Sequence, residues 1–274
     1  MRLVNTFDVE PWWATIPACI PIAEWSSMPD RSEHQMHEYL NLCDIANVKC
    51  TFFFVAWYAQ KYPCRVREVI DRGHEVGCHS LFHEDISRQS IQDFNASTKK
   101  AKLIIEDAAG VSINAYRAPS FSIPYLNYDA YLNELANIGF DIDSSICTAM
   151  RIHGGGFSRK EFSLPINLKL QSGKSIFEIP VPGVSFMGRE MQFFGGGYLR
   201  VAPPKLINKF IKKESYQVLY LHPHDFDPDL PSLPNIGILG NARRKLRIGD
   251  LKQKVLNIFA GSDVYSCGEI RCLS

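Results

Sequence analysis

A chain of 274 residues is long enough for one large domain or two small ones, and 46% hydrophobic with 22% charged residues excludes a disordered or fibrous chain. Thirty Lys and Arg against twenty-nine Asp and Glu leave a formal charge of +1, so no global field holds nucleic acid or steers the chain onto an anionic membrane. The eight cysteines contain no Cys-x-x-Cys pair and are expected as reduced, mostly core thiols. Short apolar runs at 3–7, 50–55, 74–77, 114–118, 140–144, 176–179 and 218–222 are expected as strands. Helical patterns fall between them at 33–46, 63–72, 87–109, 128–138 and 203–213, with a last one at 249–259. The clearest, 87–109, repeats Ile91, Phe94, Ala101, Ile104, Ile105 and Ala108 on one face and ends at Gly110, a natural C-cap.

This alternation predicts an α/β fold with a mostly parallel sheet, open or closed into a barrel. No repeat, low-complexity tract or linker divides the chain, so one domain is expected. Residues 145–200 break the rhythm with Gly154-Gly155-Gly156, Pro165, Pro180, Pro182 and Gly195-Gly196-Gly197, and are expected as an irregular insertion over one end of the sheet. The first residues are charged at once and reach Asp8 and Glu10 without an apolar stretch between, so no secretory signal fits there and a cytoplasmic location is expected. The longest apolar stretch, 51–59, falls far short of the roughly 20 residues of a membrane helix.

Four clusters lie at or just past predicted strand ends, where α/β folds assemble their sites. Asp8 and Glu10 are two apart, so in an extended segment they face one side. Paired carboxylates repel unless a cation separates them or one keeps its proton, although a solvated acidic turn also accounts for them alone. His79 and His83, four apart, lie on one side of a helical turn and can grip one metal ion. Beside the two carboxylates they form a two-imidazole, one-carboxylate set suited to Zn²⁺ or another divalent ion. Arg117 ends a strand heading inward and calls for an anionic partner, unless its guanidinium reaches solvent. His222 and His224 follow the last clear strand, as groups poised for proton transfer near neutral pH or as core histidines bonded to backbone.

In this order the clusters resemble the polysaccharide deacetylase family, the NodB homology domain of carbohydrate esterase family four, from residue 3 to at least 227. His79-Ser80-x-x-His83 and Arg117-x-Pro119 carry the likeness. Asp143-Ser144-Ser145-Ile146 and Gly195-Gly196-Gly197-Tyr198-Leu199-Arg200 resemble the branch associated with exopolysaccharide or O-antigen synthesis. The resemblance implies a distorted (β/α)7 barrel in one domain over 1–274, and metal-dependent hydrolysis of N-acetyl groups on amino sugars. It implies Glu10, His79 and His83 as ligands of a divalent metal, with Zn²⁺ the first choice, and Asp8 as base, oriented by Arg117. His222 becomes the general acid with His224 its competitor, and Asp143, or Asp141 two residues away, becomes the acidic partner. The family usually has two adjacent aspartates where this chain has Asp8-Val9-Glu10.

Amide hydrolysis needs an activated water, charge stabilisation on the carbonyl oxygen and a proton for the departing nitrogen, and this set can supply all three. Trp12, Trp13, Phe121 and Tyr198, with Trp25, Tyr125 and Tyr128, are candidates for stacking on sugar faces, although core packing competes for each. Pro119 joins the substrate-binding candidates. The basic run Arg243, Arg244, Lys245 and Arg247 is expected as a solvated helix end, with the phosphates of a nucleotide- or polyprenyl-linked sugar as the alternative. The expected function is a metal-dependent sugar N-deacetylase of surface-polysaccharide or O-antigen assembly. Its expected substrate is an amino-sugar glycan or a nucleotide- or lipid-linked sugar, with neither nucleic acid nor a membrane span involved; the oligomeric state is left open. Two alternatives stand beside it: a formamide or ureide hydrolase on the same fold, and an inactive carbohydrate-binding homologue.

Overall fold

The structure, a computed structural model, describes all residues except 15–19, 150–155, 159, 247 and 274. Its strands are β1 Arg2–Val9, β2 Thr51–Phe54, β3 Glu75–Cys78, β4 Ala115–Tyr116, β5 Ile142–Asp143, β6 Ile166–Lys169, β7 Ser175–Glu178, β8 Val184–Phe186, β9 Arg189–Met191, β10 Tyr216–Leu221 and β11 Asp263–Tyr265. The helices are α1 Ser32–Ala46, α2 Ala56–Lys61, α3 Pro63–Asp71, α4 Ile91–Ala109, α5 Tyr128–Ile138, α6 Gly196–Val201, α7 Pro204–Lys213, α8 Gly237–Lys245, α9 Leu251–Ala260 and α10 Cys267–Cys272.

One curled sheet runs β10-β1-β2-β3-β4-β5-β7-β6, parallel from β10 through β7, with β6 antiparallel at the edge and β11 pairing with β1 beside Arg2–Val4. Among the described residues no ladder joins β6 back to β10, so the barrel is open there. The seven parallel strands are the distorted (β/α)7 arrangement expected above. Their sequences are nearly continuous apolar runs because both faces are covered, by helices outside and by packed side chains within. β1 is buried from Leu3 to Val9, and β2 is Thr51-Phe52-Phe53-Phe54 with every side chain buried.

The helices begin and end where local chemistry dictates. Ser90 Oγ accepts the Asp93 N–H at 3.1 Å at the start of α4, and Gly110 closes it at φ 72°. No helix among the described residues is long and apolar enough to cross a membrane. Of the cysteines, 43, 50, 78, 147 and 267 are buried, while 64 and 272 are exposed.

Residues 145–200 are more regular than expected. They supply the sheet strand β7, its antiparallel neighbour β6, the β8–β9 hairpin and α6. Gly154 and Gly155 of the expected glycine loop lie outside the described residues.

Candidate active site

β1 ends at Val9, so Asp8 is its penultimate residue and Glu10 the first beyond it; both are almost fully buried. The next strands deliver their groups at the same end, with His79 following β3 and Arg117 following β4. Parallel register sets Asp8 beside Phe53 and Phe7 beside Leu221, which brings His222 to the opposite wall. A cavity of about 180 Å³ opens between them, lined by both carboxylates, the four imidazoles of His79, His83, His222 and His224, and Ala118, Ser120, Phe121 and Tyr220.

Arg117 fixes the first carboxylate. Its Nη1 donates to Asp8 Oδ1 at 2.9 Å and to Thr6 Oγ1 at 2.7 Å, Nε donates to the Ser144 carbonyl at 3.1 Å, and Nη2 donates to Ser144 Oγ at 2.8 Å. The guanidinium also lies 4.5 Å from the centre of the Phe53 ring. That ring has its place because Gly77 lacks a side chain, since a Cβ there would come within 2.6 Å of it. The inward Arg117 has found its anion, and Asp8 Oδ2 is left facing His222 Nε2 at 3.9 Å.

His79 Nδ1 lies 2.8 Å from the Arg117 carbonyl, which can only accept, so the proton sits on Nδ1 and the Nε2 lone pair faces Glu10. His83 Nε2 is 2.5 Å and His79 Nε2 3.9 Å from Glu10 Oε2, and the two rings are 5.1 Å apart. No helical turn makes this pairing. Residues 79–83 form a loop with Ser80 at φ 66° and His83 at φ 57°, its carbonyls at Ser80 and Leu81 accepting from the N–H groups of Ala56 and Trp57 at the start of α2. Left-handed residues of this kind cost free energy and cluster where function demands a fixed geometry.

Burial would raise the Glu10 carboxyl, but His83, His222 and His224 around it hold it well below the usual carboxylate range. Burial pushes His79 down to about 4, which leaves a neutral imidazole able to ligate. Ligand atoms of Glu10, His79 and His83 all lie within 4.8 Å of one another. Three buried donors of this chemistry on a cavity wall fit one divalent ion with coordination positions left open.

The acid wall differs from expectation. His222 Nδ1 faces Asp225 Oδ2 at 3.1 Å, and the same oxygen accepts the His222 backbone N–H at 3.0 Å in the tight turn Pro223–Phe226. Burial opposes charging of His222, yet Glu10, Asp225 and Asp8 together raise it to about 9. His224 stacks on it at 4.8 Å and is pushed down to about 4, chiefly by burial, so at neutral pH His222 is protonated and His224 neutral. Asp143 is therefore not the partner of His222. It accepts from Ser145 Oγ at 2.6 Å and lies beside Glu178, while Asp141 is exposed and pairs with Arg271 at 3.3 Å. Its place is nevertheless near the site, since Ser144 next to it holds Arg117.

Asp225 is the functional residue that sequence reasoning missed. Gly196 packs directly on it, so that a Cβ would sit 1.8 Å from Oδ2, and Arg200 Nε lies 3.4 Å from Oδ1. Gly195 and Gly196 thus let backbone approach Tyr220 and Asp225, while Gly197 faces open space. Of the proposed stacking residues, Phe121 lines the cavity, edge-on to Tyr220 at 5.2 Å. Pro119 is buried in the turn before it and is not on the lining. Trp12 and Trp13 are 3% and 1% exposed, packed with Trp25, Leu230 and Leu233, and Trp12 Nε1 donates to the Pro29 carbonyl at 3.1 Å. Tyr198 lies on α6 beside Phe193, away from the cavity lining.

Residues 24–142 match the family model of polysaccharide deacetylases, and residues 144–270 match a domain of unknown function, DUF3473. Residues 24–142 are thus similar to the polysaccharide deacetylase family. Its fold is similar to that of a Mycobacterium smegmatis protein described as a polysaccharide deacetylase, with a TM-score of 0.64 at 20% identity over 99% of this chain and 88% of that one. It is also similar to a carbohydrate esterase family four pseudoenzyme of Bacillus anthracis, with a TM-score of 0.52 at 13% identity over 97% of this chain and 64% of the other. Among curated proteins, a peptidoglycan-N-acetylglucosamine deacetylase of Bacillus cereus is 29% identical over 73 residues, which are 27% of this chain and 26% of that relative. The match spans well under half of the length of the curated relatives, from 16% to 39%.

Proposed function

We propose that this protein is a divalent-metal-dependent hydrolase that removes the N-acetyl group of an amino sugar in a surface polysaccharide, an O-antigen or an activated precursor. The observation that carries the proposal is the opposition, across one small cavity, of an Arg117-held carboxylate and an Asp225-held imidazole, with a Glu10–His79–His83 donor set beside them. An ion there supplies positive charge that polarises the acetyl carbonyl and eases loss of a proton from water. Asp8, with Oδ1 engaged by Arg117, offers Oδ2 to take the proton of the attacking water. His222 donates through Nδ1 to Asp225 and holds its second proton on Nε2, toward the cavity. As the carbon–nitrogen bond breaks, that proton goes to the departing amine. Ala118, Phe121 and Tyr220 give the acetyl methyl an apolar wall.

The two matched segments work as one unit in this proposal. The cavity draws His79 and His83 from the first and His222 and His224 from the second, while Asp8 and Glu10 precede both.

The test is acetate release by the purified protein, reconstituted in turn with Zn²⁺, Co²⁺ and Mn²⁺. Substrates would be N-acetylglucosamine oligomers and nucleotide- or lipid-linked N-acetyl amino sugars. Asp8→Asn keeps the shape and the Arg117 contact but removes the base, so turnover is expected to fall about 10²–10⁴-fold at unchanged metal content. Release only from N-formyl or ureide compounds would move the activity to another amide. No turnover of any amide, together with glycan binding indifferent to Asp8→Asn, would mark an inactive binding homologue.

A further inference from the structure

Helix α8 is turned inside out. Two of its polar side chains, Asn241 and Arg244, are turned toward the protein: Asn241 Nδ2 donates to the Leu233 and Gly237 carbonyls at 2.9 and 3.0 Å, and its Oδ1 accepts the Leu233 N–H at 2.8 Å. Arg244 donates from Nη1 to the Pro231 carbonyl and from Nη2 to the Trp12 carbonyl, each at 3.1 Å, and Arg200 bonds the Arg244 carbonyl. These bonds fix the rotation of the helix. At 3.6 residues per turn the opposite side carries Ile238, Leu239 and Ala242, followed by Leu246. Ile238 and Leu239 are each 87% exposed and Leu246 is 50% exposed.

Aliphatic side chains that stand together in water, while asparagine and arginine are turned inward, mark a candidate contact surface. Lys245 stands exposed beside the apolar side. An apolar strip with a cation at its edge matches a surface with an apolar layer beneath a layer of phosphates. A second copy of the chain fits poorly, because two-fold pairing sets the same cations against each other, and a nine-residue helix is small against the roughly 800 Å² per partner of a stable interface.

We propose that the outward side of α8 docks on an anionic phospholipid bilayer, lying in the plane of the headgroups. The near-neutral charge of the whole chain makes this attraction local. Through Trp12, two residues from Glu10, the docked helix is bonded to the segment that carries a cavity carboxylate. This inference does not depend on the deacetylase proposal, and binding alone tests it.

The experiment is co-sedimentation of the full chain with vesicles of phosphatidylcholine alone and of phosphatidylcholine mixed with phosphatidylglycerol. The expected result is partitioning onto the mixed vesicles, weakening at high salt, and at least about tenfold less binding to the neutral ones. The double variant Ile238→Asp, Leu239→Asp changes side chains already in water, so it should melt like the parent and lose at least about tenfold in partitioning. Lys245→Glu should weaken binding to the mixed vesicles alone. Absence of parent binding, or equal binding by the double variant, overturns the proposal. So does a dimer in sedimentation velocity that the double variant abolishes, since a second copy would then cover the face.

Discussion

The two walls of the cavity are held by different means. On one, Asp8 is fixed by long-range bonds: Arg117 arrives from β4, 109 residues away, and is itself clamped by Thr6 and Ser144. On the other, His222 is fixed by its own turn, through an aspartate three residues on that a glycine loop and Arg200 hold in place. The strand-end wall depends on sheet register, and a change in one strand moves several groups. The turn wall is a local device, so its protonation can be altered without disturbing the other. Removing the charge of Glu10 should therefore act on metal and turnover together, and removing that of Asp225 on pH dependence at the second wall.

The largest break in that contrast is Glu10→Gln. Its carboxylate balances three neighbouring imidazoles, and the amide that replaces it is a poor ligand. Elemental analysis should show the metal content falling, and turnover at limiting metal should drop by more than about 100-fold. Retention of full metal content would remove Glu10 from the ligand set.

The second wall answers to pH. His222 must carry its proton before the amine departs, and raised to about 9 it does so through neutral pH and loses it as pH climbs past that value. Activity should thus have an alkaline limb, set lower once a cation offsets the charge of Glu10. Asp225→Asn removes a carboxylate that favours the imidazolium, so the limb should move to lower pH by about one unit, with turnover at pH 7 reduced. Asp143→Asn should leave the limb in place, because the bonds of Asp143 go to Ser145. Gly196→Ala acts on the same wall through sterics. A methyl 1.8 Å from Asp225 Oδ2 must displace the carboxylate, giving a limb shift like that of Asp225→Asn and a loss of about 1–3 kcal/mol in denaturant unfolding.

How much of this the sequence carried differs between the walls. Strands buried on both faces leave apolar runs, so β1, β2, β3 and β10 are visible within a residue or two, and with them the positions of Asp8, Glu10, His79 and Arg117. Short elements left no such trace: α2 has six residues, and β8 and β9 have three each. The spacing of His79 and His83 is the same for a helical turn as for the loop that forms, and nothing in Ser80 or His83 announces a positive φ. The signal for Asp225 was present, as a proline opening a turn and an acid three residues after the histidine that precedes it. The family resemblance pointed instead to Asp143, distant in sequence and equally acidic. Composition alone could not separate a stacking tryptophan from a packed one, because both depend on what lies across the ring.

That last distinction gives the smallest effect, and it tests whether the rim beside Glu10 is structure or sugar platform. Trp12 is edge-on to Trp13 at 5.5 Å and gives its indole N–H to the Pro29 carbonyl, so both its face and its donor are used inside the protein. Trp12→Phe keeps an aromatic ring, removes that bond and leaves the carbonyl without its donor, which should cost about 1–2 kcal/mol in denaturant unfolding. A residue that stacked on substrate would instead raise KM at constant stability. The expected outcome is a lower unfolding midpoint with KM for amino-sugar substrates unchanged, because the tryptophan cluster supports the segment after Glu10 and takes no part in the cavity lining.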